Sequence, residues 1–290
     1  MSKKKIFTGA ASALITPFQN GKIDYKSLEK IIEIQISEGI SALVIGGTTG
    51  EAATLSFEER YELYSFTRDL VGKRVKLIFG TGTNDTELAI ANTKLAYRIG
   101  CDGALVVTPY YNKGTYLGVT EHYKKIAASS ELPIILYNVP SRTGVNLTIG
   151  QLTELSRIEN IVAIKEAGDS VDRLTELSKF GDELYLYAGN DSQIYATMSL
   201  FGIGVISVVS NLFPRRVSTL CQWLIEGQYK LAHHEQLELL DFIKLMFIET
   251  NPSPIKYAMS LCGLCSEEVR LPLAPPEKST REAIKKVLRI

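Results

Sequence analysis

The sequence Ile161-Val162-Ala163-Ile164-Lys165-Glu166 places a lysine where a buried strand ends. Four consecutive apolar residues bounded by polar ones are typical of a strand that is covered on both faces, as in a parallel sheet. Burial disfavours the charged form of an amine, so a buried lysine is partly free amine, which can attack a carbonyl and form a Schiff base. The alternative is that the stem of Lys165 packs on the strand end while its head reaches solvent or pairs with Glu166.

Similar apolar runs occur on both sides of this strand, and each is followed by a stretch with helical spacing. The predicted strands cover residues 9–18, 42–45, 75–79, 103–107, 133–137, 161–164, 184–187 and 204–209. The predicted helices between them lie near residues 24–38, 56–70, 85–99, 118–128, 148–155, 170–180 and 193–200. The units recur at a spacing of about thirty residues.

Eight strands that alternate with helices predict an α/β protein in which a parallel sheet closes into a (β/α)8 TIM barrel. An open doubly wound sheet is the competing interpretation, and it would need a glycine-rich phosphate turn after the first strand. Thr16-Pro17-Phe18 is no such turn, and Gly80-Thr81-Gly82 has only half of one. We expect the barrel and its catalytic site to cover residues 1–214, with an additional helical region, residues 215–290, packed on it.

Composition and charge narrow the classes of partner. The chain has 290 residues, of which 45% are hydrophobic, and its thirty-two basic and thirty-two acidic residues cancel. A balanced charge favours neither nucleic acid nor a membrane surface, and no apolar run is long enough to span a bilayer. The four cysteines are too few and too unevenly spaced for a disulfide framework, and with only three histidines a metal site is not expected. A reducing cytoplasm fits best, and the expected partner is a small molecule or another protein.

In a barrel of this kind the carboxyl ends of all strands meet on one face, so polar residues far apart in sequence become neighbours. The candidates at these strand ends are Thr48, Thr49, Tyr111, Tyr137, Arg142 and Lys165. Each also has a structural interpretation, because such threonines often cap helices and such tyrosines often pack in a core. Together they provide an amine, phenols, small hydroxyls and a guanidinium.

These groups suit the chemistry of a 2-oxo acid. An amine condenses with the ketone, and the resulting iminium lets the neighbouring carbon lose a proton and become a nucleophile. Those steps move protons, and Tyr137, at the end of the preceding strand, is the natural phenol to move them. Hydroxyls and amide groups at Gly47–Gly50 can hold the carboxylate of the 2-oxo acid, and Arg142 can hold a second carboxylate on an incoming partner.

The chain resembles the dihydrodipicolinate synthase family, within the superfamily of Schiff-base aldolases that includes N-acetylneuraminate lyase. The likeness covers nearly the whole chain and is carried by Gly47–Glu51, Thr108–Asn112, Tyr137–Gly144, Ile164–Ala167, Gly204–Val208 and Asn251–Lys256. It implies a barrel with C-terminal helices and a lyase of lysine and diaminopimelate biosynthesis. The implied substrates are pyruvate and L-aspartate 4-semialdehyde, and no cofactor or metal is implied.

The resemblance also implies individual roles. Lys165 would carry the Schiff base, with Tyr137 as proton donor and acceptor and with Thr48 and Tyr111 completing a proton relay. In this family the counterpart of Tyr111 reaches in from a neighbouring subunit, which implies a homotetramer built as a dimer of dimers, or a homodimer. The implied substrate-binding residues are Thr49, Ile206 and Gly189 for pyruvate and Arg142 for the semialdehyde carboxylate.

Two segments depart from the family's usual pattern. Gly114-Thr115-Tyr116-Leu117 stands where the family has proline and a polar pair, so we expect the subunit contact to differ there. The family's lysine-feedback site is matched by Asn84 and Tyr110 and partly by Ala52 and Ala53. Phe57 and Arg60 occupy its usual histidine positions, and Leu88 its usual glutamate position. We therefore expect weak or absent inhibition by L-lysine.

Two other functions remain open on the residues alone. A related pyruvate-type aldolase, such as N-acetylneuraminate lyase or a 2-keto-3-deoxy sugar-acid aldolase, would share the lysine and the tyrosine. Ser141-Arg142-Thr143-Gly144 favours the synthase, because a basic group suits an acidic acceptor better than a polyol. A non-catalytic ligand-binding barrel is the remote alternative, and the intact lysine, tyrosine, threonine and arginine positions count against it.

Overall fold

The computed structural model describes residues 2–290 and contains a closed barrel of eight parallel strands. Each strand pairs with the next one in sequence, and the last pairs with the first. The strands are β1 (Gly9–Ala13), β2 (Ala42–Ile45), β3 (Lys76–Gly80), β4 (Gly103–Val107), β5 (Ile134–Asn138), β6 (Ile161–Glu166), β7 (Tyr185–Ala188) and β8 (Gly204–Ser207). The predicted barrel is confirmed.

A single turn of α-helix, Pro140–Thr143, carries Arg142 in the loop after β5. Eight longer helices follow the strands of the barrel, and three more complete the chain. They are α1 (Tyr25–Ser37), α2 (Phe57–Val71), α3 (Thr86–Ile99), α4 (Tyr116–Ala128), α5 (Ile149–Leu155), α6 (Val171–Ser178), α7 (Ile194–Ser199), α8 (Pro214–Ile225), α9 (Tyr229–Met246), α10 (Ser253–Leu261) and α11 (Lys278–Leu288). Side-chain caps fix several starts: Ser56 and Glu59 form a capping box at α2, and Asp24 and Asp85 cap α1 and α3. None of the helices within residues 2–290 is long and apolar enough to cross a membrane.

Side chains alternate between two cores along each strand, as a period of two requires. On β2, Ala42 and Val44 belong to the cluster that fills the barrel, whereas Leu43 and Ile45 belong to the cluster under the helices. Lys165 lies within β6 rather than beyond it, since the strand extends to Glu166. The inward position of Lys165 therefore follows from the same alternation.

The C-terminal helices pack on the barrel, as expected. Their buried residues, such as Leu239 and Phe242 of α9, join the same hydrophobic cluster as the outer faces of the strands. The helix of the eighth βα unit, α8, begins at Pro214, so residues 215–290 include most of that unit's helix as well as α9 to α11. The division into two regions at residue 214 stays a prediction.

Candidate active site

Lys165 lies directly opposite Tyr137 on the neighbouring strand, and the two side chains are in contact. The register of β5 and β6 pairs Tyr137 with Lys165, and Lys165 Nζ is 4.3 Å from the centroid of the Tyr137 ring. Both are buried, with 5% and 7% of their surface exposed. An amine and a phenol are thus held together at the carboxyl end of the barrel, where proton transfer between them is possible.

This pairing depends on an irregularity in the ladder. Ile134 pairs with Ile161, but the next residue, Ile135, pairs with Ala163, because β6 contains one extra residue at this point. Without that shift Tyr137 would stand opposite Ile164, whose side chain points to the other face of the sheet. The bulge brings the amine and the phenol to the same level of the barrel.

Glu166 is not the partner of Lys165. Its carboxylate accepts hydrogen bonds from Asn138 Nδ2 at 2.9 Å and Gly168 N at 2.8 Å, and it forms an ion pair with Arg173 Nε at 2.8 Å. Within residues 2–290 the amine of Lys165 forms no hydrogen bond and no salt bridge. The alternative in which Lys165 pairs with Glu166 is therefore wrong.

A cavity of about 740 Å³ opens above this pair. Six of the eight predicted site residues line it, namely Thr48, Thr49, Tyr137, Arg142, Lys165 and Gly189. A second cavity of about 500 Å³ adjoins it and is also lined by Thr48, Tyr137 and Arg142. The fold thus brings together predicted site residues that are more than a hundred positions apart in sequence.

Ile206 and Tyr111 lie outside that lining. Ile206 is fully buried on β8 within the cluster that fills the barrel and also contains Tyr137. Tyr111 is 90% exposed, with a φ of +69°, in the loop after β4. Thr48 and Tyr137 face the same cavity but form no hydrogen bond with each other within residues 2–290, so the proposed relay is not closed in a single chain.

Glycine is required at position 189. A Cβ atom there would lie 2.6 Å from the carbonyl oxygen of Glu166 and 2.7 Å from Ala167 Cβ. The amide of Gly189 donates to the Glu166 carbonyl at 2.7 Å. The loops after β6 and β7 can therefore approach closely at the wall of the cavity.

Residues 46–51, which follow β2 and are called the threonine loop below, meet Arg142 at Asn251. Sequence reasoning did not assign Asn251 to the site. Asn251 Nδ2 donates to Thr49 Oγ1 at 2.9 Å, and Arg142 Nη2 donates to the Asn251 carbonyl at 3.3 Å. Asn251 comes from the segment before α10, so the C-terminal region forms part of the cavity wall. No spacing rule could find it, because 202 residues separate Asn251 from Thr49.

Asp191 is the second residue that sequence reasoning missed. It lines the cavity of Lys165, is buried, and accepts hydrogen bonds from Ser207 Oγ and from Val208 N at 2.9 Å. Burial raises the pKa of the Asp191 carboxyl, and these donors together with the charge of Lys165 oppose that shift. Its only signal in the sequence was its place in the loop after β7.

The second cavity contains the three positions that depart from the family's feedback site, Phe57, Arg60 and Leu88. Phe57 and Leu88 are exposed, and Arg60 donates to the carbonyl of Ala52. Glu51 is the single acidic residue among those that line this cavity within residues 2–290, and its carboxylate is bound to Lys256. This wall therefore offers no free negative charge.

The geometry agrees with comparisons to known proteins. A sequence profile described as the dihydrodipicolinate synthetase family matches residues 6–290. The chain belongs to the dihydrodipicolinate synthetase family. Across residues 2–290, no group of three or more His, Cys, Asp or Glu side chains is placed to hold a metal ion.

The similarity to individual known proteins extends over nearly the whole of both chains. The 4-hydroxy-tetrahydrodipicolinate synthase of Clostridium novyi (strain NT) is 46% identical, over 98% of this chain and 96% of that protein. The structure of the enzyme of that name from Methylacidiphilum fumariolicum SolV has a TM-score of 0.95 and 44% identity, over 97% of this chain and 95% of that one. A chloride-inhibited dihydrodipicolinate synthase from Acinetobacter baumannii, complexed with pyruvate, has a TM-score of 0.95 and 40% identity, over 97% and 98% of the two chains.

Proposed function

We propose that this chain is a lyase that condenses pyruvate with L-aspartate 4-semialdehyde to give 4-hydroxy-tetrahydrodipicolinate, in lysine and diaminopimelate biosynthesis. The observation that carries the proposal is the amine of Lys165, which faces the larger cavity without an internal partner and contacts the ring of Tyr137. The names of the relatives above support the same activity, and the one that is complexed with pyruvate supports that substrate.

The reaction follows from the groups around the cavity. The amine of Lys165 adds to carbon 2 of pyruvate, water leaves, and loss of a proton from carbon 3 converts the iminium into an enamine. Carbon 3 then attacks the aldehyde carbon of the semialdehyde, and the amino group of that substrate displaces Lys165 from carbon 2 and closes the ring. Tyr137 carries protons in the addition and dehydration steps.

The carboxylates of the two substrates have separate partners. Thr48 and Thr49, with the amides of their loop, hold the carboxylate of pyruvate close to Lys165. Arg142 lies on the wall shared by both cavities, where its guanidinium can bind the carboxylate of the semialdehyde in a bidentate manner. This basic group favours the semialdehyde over the polyol acceptor of a sugar-acid aldolase.

Tyr111 belongs to the proposed site through assembly. Its ring is exposed and lies outside the lining of both cavities. We propose that it reaches the relay of Thr48 and Tyr137 in a second copy of the chain, in a homodimer or in a homotetramer. A cytoplasmic location remains a prediction from the sequence.

The test uses purified protein, pyruvate and sodium borohydride. Reduction traps an imine, so intact mass should show a pyruvate-sized adduct, and peptide mapping should place it on Lys165. Turnover is then measured with L-aspartate 4-semialdehyde and, separately, with N-acetylneuraminate and 2-keto-3-deoxy sugar acids. Turnover of the sugar acids alone would replace the proposed acceptor, and absence of any adduct would overturn the Schiff base itself.

Inhibition by L-lysine should be weak or absent. The effector's ammonium needs a carboxylate, and Leu88 supplies none where the family usually has glutamate. We expect less than half-maximal inhibition at low millimolar L-lysine in a steady-state assay. Leu88→Glu should increase sensitivity, whereas Leu88→Gln, which has similar size but no charge, should not. Half-maximal inhibition of the unmodified enzyme at low millimolar L-lysine would contradict this prediction.

A further inference from the structure

Glu51, the last residue of the threonine loop, is buried and forms an ion pair with the C-terminal region. It is 4% exposed, and its backbone is left-handed, with a φ of +53°. Glu51 Oε1 lies 2.5 Å from Lys256 Nζ, and both side chains are almost completely buried. The pair joins the end of the β2 loop to α10 across 205 positions of sequence.

The remaining polar groups of this pair are also satisfied. Glu51 Oε2 accepts from the backbone amide of Arg270 at 2.8 Å, and Lys256 Nζ donates to the carbonyl of Glu268 at 2.8 Å. Lys256 Nζ also lies 4.2 Å from the centroid of the Phe18 ring. Burial lowers the pKa of the Lys256 ammonium, and the carboxylate of Glu51 opposes that shift. The geometry therefore leaves neither charge without a partner.

The same C-terminal segment reaches the loop at a second point. Asn251, five residues before Lys256, donates to Thr49 Oγ1 at 2.9 Å. Within the loop, the amide of Glu51 donates to the carbonyl of Thr48 at 3.0 Å. Thr48 and Thr49 thus stand between two anchors, one at the hydroxyl of Thr49 and one at the carboxylate of Glu51.

A buried ion pair adds little stability compared with an apolar pair of the same size, but its hydrogen bonds weaken steeply when their angles are distorted. We propose that the Glu51–Lys256 pair is a positioning device that fixes Thr48 and Thr49 for the carboxylate of pyruvate. This inference rests on the proposed function, since it assigns the pair to the binding of that substrate. Neither side chain lines the cavity that contains Lys165, so both are positioning residues.

The experiment compares Glu51→Gln, Lys256→Met and the double variant that carries both changes. Displacement of the threonine loop should raise the KM for pyruvate and slow borohydride trapping by up to about a hundredfold. The KM for the semialdehyde should change much less. Each single change leaves one buried charge unpaired and should lower the Tm, whereas the double variant leaves none and should recover much of the Tm.

The double variant separates the two roles of the pair. A Tm near that of the parent together with a raised KM for pyruvate supports positioning. A parent-like Tm and KM would overturn the proposal, as would single variants that lose only Tm. Lys256→Arg, which keeps the charge, should recover part of the pyruvate affinity relative to Lys256→Met.

Arg216→Met is the matched control, because Arg216 forms an ion pair with Glu235 at 2.5 Å between α8 and α9, outside both cavities. It should leave the KM for pyruvate unchanged, and an equal rise in that variant would also overturn the proposal. The parent protein distinguishes this inference from the proposed function. If the parent forms no pyruvate adduct, the proposed function fails; if the parent reacts and the double variant reacts equally well, only the positioning role fails.

Discussion

Lys165→Ala should eliminate the borohydride-trapped pyruvate adduct and reduce turnover by at least about 1,000-fold, since removal of a covalent nucleophile leaves only binding and proton transfer. The amine forms no hydrogen bond or salt bridge within residues 2–290, and buried Asp191, which the charge of Lys165 stabilises, keeps its hydrogen bonds from Ser207 and Val208 in the variant. The barrel should therefore remain folded. Adduct formation is read by intact mass, turnover by a coupled assay, and folding by circular dichroism and thermal unfolding.

Lys244 provides the matched control. It is exposed at the rim of the same cavity and is the second lysine among the residues that line it within residues 2–290. Lys244→Ala should retain both the adduct and turnover, because Lys244 is exposed at the rim, whereas Lys165 is buried against the ring of Tyr137. If the adduct persisted in Lys165→Ala and disappeared in Lys244→Ala, the Schiff base would have to be assigned to Lys244.

The sequence predicted the barrel, and the strand-end residues of the candidate site, because both depend on local periodicity. Alternation on each strand and the βα repeat placed Thr48, Tyr137 and Lys165 on one face before any contact was known. The exact opposition of Tyr137 and Lys165 was less accessible, since it depends on the extra residue of β6 between Ile161 and Ala163. Nothing in the four apolar letters of that strand marks a bulge.

Contacts between distant segments could not be predicted. Asn251 and Lys256 belong to the motifs that carry the family resemblance, but their partners Thr49 and Glu51 lie 202 and 205 positions away. Such pairs depend on how α10 packs against the barrel, which no local pattern encodes. The 90% exposure of Tyr111, by contrast, agrees with the implied contact to a neighbouring subunit.

Tyr137→Phe should lower kcat by about a hundredfold or more while leaving stability nearly unchanged. Its hydroxyl has no hydrogen-bond partner within residues 2–290 and faces the cavity, so its removal leaves no buried group unsatisfied. Water would then have to supply and accept the protons during formation and dehydration of the carbinolamine. Rapid-quench trapping with borohydride should show that the adduct still forms on Lys165, but slowly.

Tyr187→Phe is the matched control for this prediction, since Lys165 lies between Tyr137 and Tyr187 in the sheet. The register of β6 and β7 pairs Lys165 with Tyr187, but the hydroxyl of Tyr187 donates to the carbonyl of Phe7 at 2.7 Å. Its removal should therefore lower the free energy of unfolding by about 1 kcal/mol and leave kcat unchanged. The two variants should thus show opposite patterns, one losing rate and the other losing stability. If Tyr137→Phe lost only stability, or if Tyr187→Phe lost the rate, the phenol that carries protons to and from the Lys165 adduct would have to be reassigned.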